Sequence, residues 1–266
     1  MPSDQGISMT VAALCPSTHA ASCLFCRHMS TLSLWPAMLV VMTTRTLLCA
    51  HRRLWLIVLL GAAPVLADVL GLSPSVFAQV AQRWGEVGVQ HLRAWQAMSQ
   101  GLQHASVDQQ VTTVNTWMDE NVPYISDLQH WHVEDYWATP VEFIASHGGD
   151  CEDFAIAKYF TLRALGVAAD QLRITYVEAI DLHQAHMILA YYPHPGQEPL
   201  ILDSLVKRIL PASQRPDLVP VYSFNAEGLW QARLQGRGVR IGRADELDKW
   251  RDVLQRMASQ QTAPMK

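Results

Sequence analysis

The stretch GGDCEDFAIAKYF, residues 148–160, decides how the rest of the chain is interpreted. Its spacing predicts a helix from about Cys151 to Leu165, which Gly166 ends as a C-terminal glycine. Cys151 then lies in the first turn, where backbone N–H groups and the helix dipole favour a negative charge. Because the thiolate is the nucleophilic form of cysteine, this position suits a reactive thiol. A buried and inert core thiol is the alternative.

A thiol nucleophile needs a base, and the base needs an orienting group. His186 opens the run HMILAYY, and Asp203 ends the run PLILD. If these strands are neighbours, the imidazole and the carboxylate meet at one end of the sheet, facing the helix that carries Cys151. Taken alone, His186 also suits a structural histidine, and Asp203 suits a turn cap into Ser204. The rival histidines lie in predicted loops, without an acid at a strand end: His147, His183 and His194.

Three acids surround the thiol in sequence: Asp150, Glu152 and Asp153. Carboxylates beside a cysteine disfavour its thiolate, so a positive charge is expected to offset them. A hard cation such as calcium, which takes several oxygen ligands, fits this composition. Ordinary helix capping fits it equally well, with Asp150 as the N-cap and Asp153 completing a near capping box. Composition leaves both interpretations open.

Further helices and strands are predicted on both sides of this centre. Apolar spacing predicts helices over Ser75–Gln100 and Ser106–Asn121, the second with Ser106 as its N-cap. Residues 122–140 lack a period and are interpreted as an ordered loop. After the Cys151 helix, the sequence predicts three strands and an amphipathic helix: Leu172–Ala179, Met187–Tyr192, Leu200–Leu202 and Asp245–Met257. Helices first, then a helix with a sheet, predict one α+β domain.

The composition excludes several classes of protein. The chain has 266 residues, of which 50% are hydrophobic and 17% charged, so it is not disordered. A formal net charge of −4 does not suggest nucleic acid as the main partner. Four of the five cysteines lie in residues 1–49, which leaves Cys151 as the single thiol of the remainder. That remainder therefore has no intrachain disulfide framework.

The N-terminal region has the three parts of an export signal. Three arginines precede the apolar run Leu54–Ala63, and a cleavage motif of small residues ends at Ala67. We expect residues 1–67 to be an upstream extension plus a signal peptide, with translation starting at Met42 and cleavage after Ala67. The exported domain would then be residues 68–266. The apolar run is shorter than the roughly 20 residues of a membrane span, although a retained anchor is the alternative.

Several runs together resemble the bacterial transglutaminase-like cysteine proteinases, the LapG-type periplasmic proteases. They are DYWATPVEFI (135–144), GGDCEDFAIAKYFTLRALGV (148–167), HMILAYY (186–192), LILDSL (200–205) and RPDLVPVYSFN (215–225). The resemblance spans about residues 75–230. The residues before Met42 have no counterpart in the family pattern.

The resemblance implies a papain/transglutaminase-like α+β core, in which a catalytic helix packs on an antiparallel sheet. It implies Cys151 as the nucleophile, His186 as the base and Asp203 as the orienting group. It also implies dependence on calcium (Ca2+), with Asp150, Glu152 and Asp153 as ligands. The expected substrate is a large surface adhesin, cut near its N-terminus and released during biofilm dispersal. The expected regulator is the periplasmic domain of an inner-membrane receptor that senses cyclic di-GMP.

Two other functions use the same residues differently. A transglutaminase-type acyl transferase would pass the acyl group from Cys151 to an amine instead of water. A non-enzymatic periplasmic adaptor would use exposed tryptophans for docking. The aromatic and acidic loop before the catalytic helix is the candidate partner surface, although core packing is expected for Trp137; its members are Trp131, His132, Asp135, Tyr136 and Trp137.

Overall fold

The computed structural model describes residues 70–232 and 238–262, which belong to one compact unit. Their helices are α1 (Pro74–Gly101), α2 (Val107–Asn121), α3 (Asp127–His130), α4 (Pro140–Ser146), α5 (Cys151–Ala164) and α6 (Asp248–Thr262). Their strands are β1 (Leu172–Ala179), β2 (Gln184–Tyr191), β3 (Leu200–Leu202), β4 (Leu210–Pro211), β5 (Leu218–Asn225), β6 (Gly228–Gln231) and β7 (Val239–Gly242). The predicted α+β class, helices before a helix on an antiparallel sheet, is confirmed.

The seven strands form one antiparallel sheet in the order β4-β3-β2-β1-β5-β6-β7. The helix α5 packs against β2 and β1, near the middle of the sheet. Side chains alternate between the two faces of a strand, so β2 contributes to two apolar layers. Met187, Leu189 and Tyr191 join the main core with the helices, whereas Ile188 and Ala190 join a smaller cluster on the other face.

The predicted helix boundaries follow local capping chemistry. Ser106 accepts a hydrogen bond from the Gln109 backbone N–H, and Gln109 Oε1 accepts one from the Ser106 N–H, so α2 begins with a capping box. Gly166 follows α5 with φ = +96°, a left-handed conformation that costs glycine little. Both predicted helix-end signals are therefore confirmed.

Four structural features differ from the sequence prediction. The helix α1 is interrupted at Gly85, where φ is 69° and ψ is −166°. Residues 122–140 are not entirely loop, since α3 lies within them and α4 begins at Pro140. The start of α4 carries an overlooked capping box, because Thr139 and Glu142 cap each other's backbone N–H. The strands β4 to β7 were not predicted, because β4, β6 and β7 are only two to four residues long and β5 contains Pro220.

The C-terminal helix fixes the loop that precedes α4. Arg256 pairs with Glu142, donates to the Trp137 carbonyl, and donates to the Tyr136 hydroxyl over 3.0 Å. Trp250 is fully buried on the same helix, stacked on Phe160. The α6 packing therefore holds the segment beside α5 in place.

The proposed export signal, including Met42 and Ala67, lies outside the described residues. Among the helices that are described, none has both the length and the apolar character that a membrane span requires.

Candidate active site

The imidazole and the carboxylate predicted to meet at the sheet end do so. The strands β2 and β3 are hydrogen-bonded neighbours, with Leu189 opposite Leu202. His186 is the third residue of β2, and Asp203 directly follows β3. His186 Nε2 lies 2.8 Å from Asp203 Oδ1, and both side chains are buried. This contact fixes one ring nitrogen of His186 on a carboxylate.

The second ring nitrogen of His186 is available for chemistry. Its Nδ1 atom is buried and has no hydrogen-bond partner among the described residues. With Nε2 engaged by Asp203, Nδ1 is the atom that can accept a proton. A histidine held in this way has the arrangement of a general base.

Asp203 is held as an anion on both of its oxygens. Oδ1 also accepts the Leu205 backbone N–H over 2.9 Å, and Oδ2 lies 2.8 Å from Arg215 Nη1. Burial alone would raise the pKa of Asp203, but the contacts from His186, Leu205 and Arg215 outweigh it and lower the pKa to about 2. The turn cap considered for this residue exists, but it runs to Leu205, not Ser204, and coexists with the histidine contact.

Cys151 lies at the first residue of α5, as predicted, and is partly buried. Its thiol donates to Glu152 Oε2 over 3.0 Å, so it is not hydrogen-bonded to His186. Burial, and then the Glu152 and Asp150 carboxylates, raise the pKa of Cys151 well above its ordinary value, whereas the Met187 backbone N–H lowers it. The Met187 contact places the sulfur beside β2, because Met187 is the residue that follows His186 in that strand.

The acids around Cys151 form a cluster with a fourth member that the sequence did not reveal. Asp127, Asp150 and Asp153 offer carboxylate oxygens within 4.8 Å of one another. Glu152 joins an overlapping group with Asp127 and Asp135. Asp127 comes from α3, which lies within the segment predicted as a loop, so no local pattern pointed to this residue.

The capping interpretation of Asp150 and Asp153 is wrong. Asp150 occupies the N-cap position, but its side chain makes no capping hydrogen bond within this described helix. Its Oδ2 atom instead accepts the Asp127 backbone N–H over 3.2 Å, and Asp153 Oδ1 accepts the Ala138 N–H over 2.6 Å. These two carboxylates therefore accept from backbone N–H groups outside α5, at the start of α3 and just before α4.

Unpartnered oxygens fit a hard cation at this cluster. Three buried carboxylate oxygens have no hydrogen-bond donor in the described part of the chain: Asp127 Oδ1, Asp150 Oδ1 and Asp153 Oδ2. A Cβ atom at Gly149 would lie 2.3 Å from Asp153 Oδ2, so this glycine leaves space for the cluster. Hard oxygen donors of this number and charge suit calcium.

Without a cation, burial raises the pKa values of these acids. The pKa of Asp127 rises to about 6, mainly by burial and also through Asp150. The pKa of Glu152 rises to about 8 through burial and the Asp150 charge. A buried group of like charges is costly unless it is neutralised by protons or by a cation.

The candidate partner loop is only partly exposed. Trp137 is buried and stacks on Phe224 with ring centroids 5.7 Å apart, which confirms the core packing expected for it. Trp131 packs partly against the core, 4.8 Å from the Tyr136 ring. Asp135 is exposed and forms an ion pair with Lys249. The members of the predicted aromatic and acidic loop are therefore divided between core and exterior.

Comparison with known proteins places this chain, by class, among the cysteine proteinases. Residues 87–232 match the model of the bacterial transglutaminase-like cysteine proteinases. The chain therefore belongs to that family.

Solved structures agree with this assignment. The chain is 47% identical to LapG of Legionella pneumophila over 68% of this chain and 95% of that one, with a TM-score of 0.59. The calcium-bound form of that protein gives 48% identity over 68% and 97% of the two chains, with a TM-score of 0.58. Its EGTA-treated form gives 47% identity over 68% and 95%, with a TM-score of 0.60. No curated protein matches the chain.

Proposed function

We propose that this protein is a calcium-dependent cysteine endopeptidase of the periplasm. Cys151 is the nucleophile, His186 the general base and Asp203 the orienting group. The observation that carries the proposal is the 2.8 Å contact of His186 Nε2 with Asp203, which leaves Nδ1 without a partner among the described residues. Membership of a cysteine proteinase family supports a hydrolytic role for Cys151 beside this pair.

The reaction follows from these atoms. The thiol proton of Cys151 passes to His186 Nδ1, and the sulfur attacks the substrate carbonyl. The first-turn N–H groups of α5 favour the negative charge that develops there. His186 returns the proton to the leaving amine, so the C–N bond breaks and a thioester forms. Water, deprotonated by His186, then hydrolyses the thioester and releases the acid and the free thiol.

Calcium is assigned to the acidic cluster. Asp150, Glu152 and Asp153, joined by Asp127, would hold the ion through their carboxylate oxygens. When bound, the ion would neutralise charges that otherwise disfavour the Cys151 thiolate. Binding would also draw on Glu152, which is the acceptor of the thiol hydrogen bond. The calcium-bound structure of the Legionella protein supports this assignment.

The substrate and the regulator are proposed from the family resemblance. The substrate is a large surface adhesin, cut in its N-terminal region so that it leaves the cell surface and the biofilm disperses. The regulator is the periplasmic domain of an inner-membrane cyclic-di-GMP receptor. The signal-like segment ending at Ala67 supports export to the periplasm.

One assay tests the proposal and separates the alternatives. The purified protein is incubated with a candidate adhesin N-terminal fragment, with calcium or with a chelator. We expect cleavage only with calcium, and none from Cys151→Ala or His186→Ala. Incorporation of a labelled amine without a free carboxylate would indicate acyl transfer instead. Failure of a thiol-alkylating probe to label the native protein would favour a non-enzymatic adaptor.

A further inference from the structure

One segment has no role in the proposed reaction, although it contacts Asp203, the orienting group of that reaction. The run RPDLVPVYSFN begins at Arg215, between β4 and β5. The Arg215 side chain is 5% exposed, an unusual degree of burial for a guanidinium. A charge buried to this extent requires partners that compensate for its lost hydration.

The partners of Arg215 are two carboxylates. Nη1 lies 2.8 Å from Asp203 Oδ2. On the other side, Nε donates to Asp217 Oδ1 over 3.0 Å and Nη2 donates to Asp217 Oδ2 over 2.7 Å. The Asp217 contact is bidentate. A planar guanidinium allows this geometry, whereas an ammonium group does not. Asp217 therefore fixes the plane in which Arg215 meets Asp203.

These contacts hold both oxygens of Asp203 and so prevent rotation of its carboxylate group. Oδ1 is occupied by His186 Nε2 and the Leu205 N–H, and Oδ2 by Arg215. A carboxylate held through one oxygen alone could rotate about its terminal torsion, which is broad and soft. Such a rotation would move the acceptor away from His186 and release the imidazole.

Other charges lie near Asp203 but are engaged elsewhere. Lys158 and Asp119 both interact with it electrostatically, but they pair with each other over 2.6 Å. The Asp217 charge also reaches Asp203 and opposes its ionisation. Arg215 is therefore the cation in direct contact with the carboxylate within the described chain.

We propose that Arg215, itself oriented by Asp217, is a positioning residue that fixes the Asp203 carboxylate against His186. The proposal rests on the proposed triad. The alternative is that Arg215 is a purely structural link between residues 212–217 and the end of β3. In that role it would affect stability alone.

The test compares Arg215→Gln, Arg215→Lys and Asp217→Asn in the full chain with calcium present. Arg243→Gln is the control, since Arg243 forms an exposed ion pair with Asp245. Cleavage of the candidate adhesin N-terminal fragment, followed at several substrate concentrations, gives kcat and KM separately. Proton NMR gives the downfield resonance of the His186 Nε2–H, which depends on its hydrogen bond to Asp203. The melting temperature reports stability.

We expect Arg215→Gln to lower kcat about 10- to 100-fold, with KM little changed, because the charge-assisted contact that holds the orienting carboxylate is lost. The His186 Nε2–H resonance should broaden or move upfield. Arg215→Lys should recover part of kcat, and Asp217→Asn should lower kcat less than Arg215→Gln. If Arg215→Gln does not fold, the Lys and Asp217→Asn variants carry the test through the same two readouts.

A lower melting temperature with unchanged kcat and an unchanged resonance would overturn the proposal and leave Arg215 as a structural link. This result is distinguishable from failure of the proposed function. If the proposed function is wrong, the Cys151→Ala or His186→Ala variant still cleaves the substrate, whatever the Arg215 variants do.

Discussion

The Cys151 thiol donates its hydrogen bond to Glu152 Oε2, 3.0 Å away, and not to the free ring nitrogen of His186. The proposed nucleophile is thus hydrogen-bonded to one of the acids that would hold calcium. Withdrawal of Glu152 onto a cation would remove this hydrogen bond and, above about pH 8 where Glu152 is ionised, an uncompensated negative charge as well. The proposed metal site and the thiol are therefore coupled through a single side chain, Glu152.

This coupling predicts that calcium accelerates alkylation of Cys151. At pH 9, where Glu152 is largely ionised, we expect the rate with iodoacetamide to be about tenfold higher with calcium than with EGTA, since neutralising one adjacent carboxylate lowers the thiol pKa by about one unit. In EGTA, Glu152→Gln should also react faster than the unmodified protein, and calcium should then have little further effect.

Glu134→Gln is the matched control, because Glu134 is exposed in the neighbouring loop and outside the acidic cluster. It should respond to calcium as the unmodified protein does. Equal alkylation rates with calcium and EGTA, together with cleavage that ignores the chelator, would contradict a calcium role for these acids.

The raised pKa values predict how the stability of the metal-free protein varies with pH. Asp127 (about 6) and Glu152 (about 8) hold their protons more tightly in the folded than in the unfolded chain. Their contribution is therefore complete below about pH 4 and is lost as the pH rises toward 8. In EGTA, the melting temperature should fall between pH 5 and pH 8. Excess calcium should oppose this fall, so its stabilising effect should be larger at pH 8.

Differential scanning calorimetry at the two pH values measures this directly. Asp252→Asn serves as the control, because Asp252 is exposed and pairs with Arg256 outside the cluster. A calcium-induced shift that is the same at pH 5 and pH 8 would show that the acids do not titrate as the structure indicates.

The sequence predicted the parts of the fold that depend on local chemistry. Ser106 and Gly166 marked helix ends correctly because capping and left-handed conformations involve only a few neighbouring residues. The strands Leu172–Ala179 and Leu200–Leu202 were predicted with the boundaries they have. The meeting of His186 and Asp203 was predicted on the condition that their strands are neighbours, and β2 and β3 meet that condition.

The parts that were not predicted depend on contacts between distant segments. Asp127 reaches the cluster from α3, a single helical turn that is too short to show a period. Capping of α5 by Asp150 was one of two open interpretations, and the composition did not reveal that a backbone N–H 23 residues away donates to its carboxylate. Arg215 contacts Asp203 across two strand ends, which no spacing rule within one element could reveal.

A buried ion pair behind the site yields a stability prediction. Lys158 on α5 and Asp119 on α2 are 2.6 Å apart, and both side chains are about 1% exposed. Lys158→Met should lower the free energy of unfolding by about 3–5 kcal/mol, because it leaves a buried carboxylate unpaired. Adding Asp119→Leu should recover much of this loss. Urea denaturation measures both effects.

Lys249→Met provides the comparison, since Lys249 pairs with Asp135 at the surface. That variant should lose less than about 1 kcal/mol. If Lys158→Met lowers the free energy of unfolding by as little as this, then water or a proton satisfies the unpaired Asp119 carboxylate at little cost.

The last prediction concerns Trp131, which was expected either to pack in the core or to dock a partner. The structure packs it partly against the core, 4.6 Å from the His130 ring and 4.8 Å from the Tyr136 ring. Trp131→Ala should therefore destabilise the protein by about 2 kcal/mol, which lowers the melting temperature by roughly 4–8 °C in a domain of this size. The buried Trp137 should cost more when replaced by Ala, about 3–5 kcal/mol. An unchanged melting temperature for Trp131→Ala, combined with weaker adhesin cleavage or receptor binding, would instead assign Trp131 to a docking surface, because large aromatic side chains often anchor interfaces.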